Sequence, residues 1–143
     1  MNSNAIIREL RELRARVEQM WKNEIGGTPV GVVFFSIEGV LLVEANPLRL
    51  YNTSGANRTI SKIFLSVGTA PTGASILVDV HKDGTTIFTN QTHRPAIAAG
   101  DFTGYTVDID VSAWADNSYL EVFVDQVGSG ISGSDLVIHI KYT

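Results

Sequence analysis

From Ile60 onward the chain repeats one pattern: short runs in which every second residue is apolar, separated by clusters of glycine, proline, serine and asparagine. Ile63, Leu65 and Val67 alternate with Lys62, Phe64 and Ser66. Ile76, Val78 and Val80 alternate with Leu77, Asp79 and His81. Tyr105, Val107, Ile109 and Val111 alternate with Thr106, Asp108 and Asp110, and Leu136, Ile138, Ile140 and Tyr142 close the series. A period of two sends alternate side chains to opposite faces of a strand, so each run offers one face to a core. Lys82-Asp83-Gly84 is the strongest hairpin signal, because Asp-Gly supports the positive φ angles of tight turns. With Leu120–Val127 and the runs before Ile60, about eight or nine strands are expected and no helix between them. The fold class this predicts is mainly β: an antiparallel, jelly-roll-like β-sandwich over residues 26–143.

Two earlier segments break the alternation. Val30–Ile37 and Val40–Ala45 are apolar on both faces, with Glu38-Gly39 between them as the expected tight turn. Strands without alternation lie in the centre of a sandwich or at a subunit interface. Leu48-Arg49-Leu50-Tyr51 then resumes the period of two, and Asn52–Asn57 reads as a loop.

The N-terminus follows a different rhythm. Over Asn4–Lys22, Ile6, Leu10, Leu13, Val17 and Met20 recur at alternating steps of four and three, the a/d spacing of a coiled coil. Glu9 and Arg14 then occupy successive g and e positions, suited to an ion pair between chains, and Ile7 widens the stripe towards a trimer or larger bundle. Gly26-Gly27-Thr28-Pro29 supplies the stop. Residues 1–25 are therefore expected to be an N-terminal coiled-coil helix for oligomerisation. The competing reading is an amphipathic helix packed on its own β domain. Trp21 is expected where helix meets head.

Charge and composition narrow the partners. The chain is 44% hydrophobic and 18% charged, as a globular protein is, and it has no cysteine. Disulfides, thiolate catalysis and cysteine-bound zinc are therefore excluded. Residues 1–25 carry five cations against four anions, but the remainder carries six against eleven. An acidic head is a poor ligand for a phosphate backbone, so nucleic acid is not expected as a partner. No basic start followed by an apolar run marks a signal peptide, and no apolar stretch is long enough to cross a bilayer, so membrane insertion is not expected either.

Chemistry-bearing constellations are sparse. Asp108 and Asp110 share a strand face. They read as solubilising charge, with carboxylate catalysis or a weak calcium site with Asp79 or Asp125 as alternatives. His81, His93 and His139 show no metal-binding spacing, and no G-x-S-x-G elbow or phosphate cradle occurs. No catalytic residue, metal or cofactor is expected. Asn52, Asn57 and Asn90 open N-x-S/T triplets and read as turn residues. Trp114, with Tyr119 nearby, is the possible ligand contact, since an aromatic face can stack on a sugar; the alternative is a plug for the end of the sandwich.

From Tyr51 onward a resemblance enters. Asn57-Arg58-Thr59-Ile60, the run Ser66–Ser75 (SVGTAPTGAS), Val78-Asp79-Val80 with Gly84–Phe88 (GTTIF), Arg94–Gly100 (RPAIAAG), Val124–Ser129 (VDQVGS) and Gly133-Ser134-Asp135-Leu136 resemble a domain of tailed-bacteriophage virion proteins. That domain occurs in tail-fibre, receptor-binding and head-decoration polypeptides. The resemblance spans Tyr51–Thr143 and implies a β-sandwich on a virion surface, with no catalytic residues. Together with the helix it leads to the expectation of a non-enzymatic homotrimeric structural protein, a head decoration, fibre or tail-attached spike. Its partners would be other capsid or tail proteins. The alternative is a carbohydrate-binding adhesin head that recognises a host glycan.

Overall fold

The computed structural model describes residues 2–20 and 30–143. The side chain of Met20, Trp21, the Gly-Gly-Thr-Pro stop and the expected boundary at 25/26 lie outside the described residues. Helix α1 spans Ser3–Met20. Asn2 caps it, its side-chain oxygen accepting from Ala5 N–H at 2.8 Å, which satisfies one of the free donors of the first turn.

Everything described after residue 29 is mainly β, in two antiparallel sheets. The strands are β1 (Gly31–Val40), β2 (Glu44–Ala45), β3 (Leu50–Tyr51), β4 (Arg58–Ser66), β5 (Ile76–Lys82), β6 (Thr85–Thr86), β7 (Ala96–Ile97), β8 (Thr103–Thr106), β9 (Ala113–Trp114), β10 (Tyr119–Gln126) and β11 (Ser134–Tyr142). The first sheet has the order β1-β11-β4-β8, with β9 continuing beside β4. The second has the order β2-β10-β5-β6, with β3 beside β10 and β7 beside β5. The chain passes back and forth between the sheets, so their inward faces are built from interleaved segments. Ile63, Leu65, Ile138 and Ile140 from the first sheet and Val78, Val80, Val122 and Val124 from the second belong to one buried cluster. The architecture is sandwich-like, held by the burial of these β-branched and leucine side chains.

Several expected features hold in detail. The inward faces of β4, β5 and β11 are the ones the alternation predicts, and Asp83 and Gly84 take φ of 50° and 84° in the tight turn between β5 and β6. Three differ. Glu38-Gly39 is not a hairpin turn: β1 runs through it as one strand beside β11, with a register shift between Ile37 and Val40. Gly39 has φ 81°, and its N–H donates to Asp135 Oδ1 at 2.9 Å, so the extra residues form a bulge instead of reversing the chain. Nor is β1 central; it is an edge strand. The third difference is the phase of β8. Thr106 faces inward, whereas Tyr105 and Val107 are exposed, and the strand stops before Asp108. Pairing with β4 sets Tyr105 opposite the outward Phe64, where the Lys62 ammonium lies 4.3 Å from its ring centroid, while Ile109 and Val111 reach the core from the following loop.

Candidate interaction surfaces

Among the described residues the stripe on α1 is left in water. Leu10 is 60% and Leu13 55% exposed, and Ile6, Ile7 and Val17 are exposed as well. The helix is thus not packed through this stripe on its own β domain. Within the single chain Arg14, placed at an e position, holds Glu18 one turn on, Nε to Oε1 at 3.0 Å.

Trp114 belongs to the core. It is 2% exposed, its indole N–H donates to the Ser118 carbonyl at 3.2 Å, and its ring meets Tyr142 edge-to-face at 5.5 Å. The loop around Asn52 closes over it: Asn52 Nδ2 donates to the Trp114 carbonyl (3.0 Å) and the Ala56 carbonyl (2.9 Å). Of the two readings of Trp114, the structure fits the plug, because no ring face is left for a ligand. The same bonds occupy both amide protons of Asn52.

Tyr119 stands elsewhere, half-buried on the outer face of the second sheet. Its ring lies 5.3 Å from that of Tyr51, and the Arg49 guanidinium sits 4.6 Å above it. Arg49 Nε also donates to Glu121 Oε1 at 3.0 Å. That hydrogen bond, with smaller help from the two tyrosines, raises the guanidinium pKa above its ordinary value. Tyr51 is 47% exposed. An aromatic face beside fixed N–H donors and a carboxylate is the composition that holds a sugar ring by stacking and hydrogen bonds. Arg49 and Tyr51 were readable as neighbours on one face of Leu48–Tyr51, but their pairing with Tyr119 depends on β3 docking beside β10.

The carboxylates of Asp79, Asp110 and Asp125 are used separately, each by its own partners. Asp79 accepts from Thr86 Oγ1 (2.6 Å) and lies 3.3 Å from His81 Nε2; His81 in turn stacks on Phe123. Asp125 pairs with Arg94 at 2.6 Å. Asp110 takes the Asn90 N–H at 2.8 Å and faces His93 Nδ1 at 2.7 Å, and these contacts, the Asn90 bond first, lower its pKa. Asp108 and Asp110 are therefore not a strand-face pair. Among the described residues no group of three His, Asp or Glu side chains is placed to share a metal ion.

The outer face of the first sheet is of another kind. Cross-strand register aligns Phe34 (β1), His139 (β11), Phe64 (β4) and Tyr105 (β8) in one row. Phe34 is 66% exposed, and His139 meets Phe64 at 5.7 Å. Such a row was invisible in sequence, because strand register between distant segments has no local signature. No protein-family model and no curated protein sequence matches the chain.

Proposed function

We propose that the protein is a non-enzymatic structural component of a tailed-bacteriophage virion: a trimeric appendage of head or tail whose N-terminal helices bundle as a coiled coil and display a jelly-roll head. The observation that carries this reading is the exposed a/d stripe of α1, which leaves Leu10 and Leu13 more than half in water in the single chain. A helix of 18 residues is marginal alone and gains its stability from packing. The breadth of the stripe, with Ile7 beside it, favours three chains over two. The strand order supports a jelly roll: with β2 and β3, β6 and β7, and β8 and β9 each counted as one broken strand, the two four-stranded orders are those of a doubled Greek key. The virion assignment rests on the resemblance over Tyr51–Thr143.

The test is the mass of the full chain by light scattering at about 10 μM, wild type against Leu13→Asp, together with antibody labelling of purified particles in the electron microscope. Burial of Leu13 contributes roughly 1.5–3 kcal/mol per chain, and a carboxylate in its place adds a desolvation cost. The variant should therefore run as a monomer while the wild type has three-chain mass. A wild-type monomer sinks the stalk, and particles free of label sink the virion assignment. The Arg49–Tyr51–Tyr119 cluster favours a second reading in which the head also binds a host glycan. A glycan array positive for wild type and blank for Tyr51→Ala supports it; an array blank for both refutes it.

A further inference from the structure

We propose that the apolar surface between Val30 and Leu48, along the outer strands β1 of the first sheet and β2 of the second, is a head-to-head contact between copies of this chain. The inference rests on the stalk reading and adds to it a second point of assembly. Of the seventeen large apolar side chains exposed among the described residues, twelve precede residue 49: five on α1, and seven between Val30 and Leu48. The remaining ninety-five positions carry only five, so the exposed apolar surface is concentrated on the helix and on the segment that follows it. Sheet edges that remain in water are usually guarded by charge or proline. Here β1 carries one charge, Glu38, at the bulge, and its outward side chains Val32 and Phe34 are apolar. Beside this edge runs an open groove of about 320 Å³, lined by Phe34, Leu48 and Arg49 among others.

The occupant follows from the tether. Ten residues separate Met20 from Gly31, a reach of at most about 35–40 Å. A head of this length has a radius of gyration of about 13 Å, so bundled stalks hold three heads within touching distance of one another. Tethering at that range raises the local head concentration to about the millimolar level. A ring of three needs two unlike patches on each copy. The Val32/Phe34 face and the Val40, Leu42, Val43 and Leu48 edge supply them. Each ring contact joins one patch to the other, so its two sides together expose roughly 600 Å², well short of the roughly 1,600 Å² in total of a stable interface. The heads therefore bind one another only with the stalk's help.

The experiment uses the full chain: Phe34→Glu/Leu42→Glu, Leu13→Asp and wild type, compared by light scattering over a dilution series and by amide hydrogen exchange of β1. Both glutamates replace side chains that are more than 60% exposed in the single chain, and circular dichroism checks the fold. If the double variant perturbs the sheet, Val32→Ser carries the same measurement. In wild type the β1 amides should exchange slowly. The double variant should dissociate at a concentration about tenfold higher or more, with β1 exchange accelerated. A double variant with wild-type dissociation and exchange overturns the head contact and leaves the stalk standing. A Leu13→Asp chain that stays assembled, beside a double variant that falls apart, upholds the head contact but overturns the stalk and with it the heads' need of the stalk's help.

Discussion

Trp114→Ala separates a plug from a platform. The indole is 2% exposed, so about 250 Å² of it leaves water on folding. At roughly 25 cal/mol per Å² that is about 6 kcal/mol, and residual burial in the unfolded chain lowers it to about 4–5. Alanine recovers a little of this and leaves a cavity between the Asn52 loop and Tyr142. The Ser118 carbonyl is not orphaned, since the Asn52 N–H still donates to it at 2.8 Å. The expected loss is about 4 kcal/mol, within the range for aromatic-to-alanine changes in cores and a large share of a domain's stability. Trp114→Phe keeps most of the ring area and forfeits the N–H, for about 1–2 kcal/mol. The measurement is urea unfolding followed by circular dichroism, with all variants at one protein concentration, since the proposed assembly would shift the midpoint. A Trp114→Ala variant within about 1 kcal/mol of wild type, at unchanged m value, refutes the plug, since no fully packed tryptophan can be removed so cheaply.

Two further outcomes are expected. Gly104→Ala should cost about 2–3 kcal/mol or abolish soluble expression, because a Cβ there collides with the Ala96 carbonyl oxygen where β8 crosses β7; a thermal midpoint equal to wild type would contradict the close approach. Asp110→Asn tests the carboxylate held by Asn90 and His93. Its folded pKa lies below the ordinary 3.8, so its stabilisation is full above about pH 4 and is lost as pH falls through the lowered value. Melting curves of wild type and variant should therefore differ at pH 6 and converge in acid, and a gap constant across that range rules the linkage out.

Local chemistry was legible in the sequence wherever one segment determined the outcome. The four-three rhythm placed α1, Asp83-Gly84 placed its turn, and the inward faces of β5 and β11 followed from alternation. The misreadings share a cause: the deciding contact came from a distant strand. Gly39 bulges because Asp135, ninety-six residues away, takes its N–H. Tyr105 points outward because β8 pairs with β4 in the register that sets Thr106 opposite the inward Ile63 and Tyr105 opposite the outward Phe64, and Val107 is exposed although its run alternates perfectly. The Tyr119 cluster was half legible. Arg49 and Tyr51 share a face by period alone, yet only β10 brings the second ring and Glu121 to them.

The position of β11 has a consequence for synthesis. It lies between β1 and β4, so the first sheet cannot close until residues some ninety-five positions beyond Val40 have left the ribosome. At about 5–20 residues per second, β1 spends about 5–20 s without its partner. Over that interval Val32, Phe34 and their apolar neighbours have no sheet to join, while α1 has already emerged. On the proposed stalk reading, neighbouring nascent chains would meet through their helices before any head exists, so that the stalk forms first and the sandwich second.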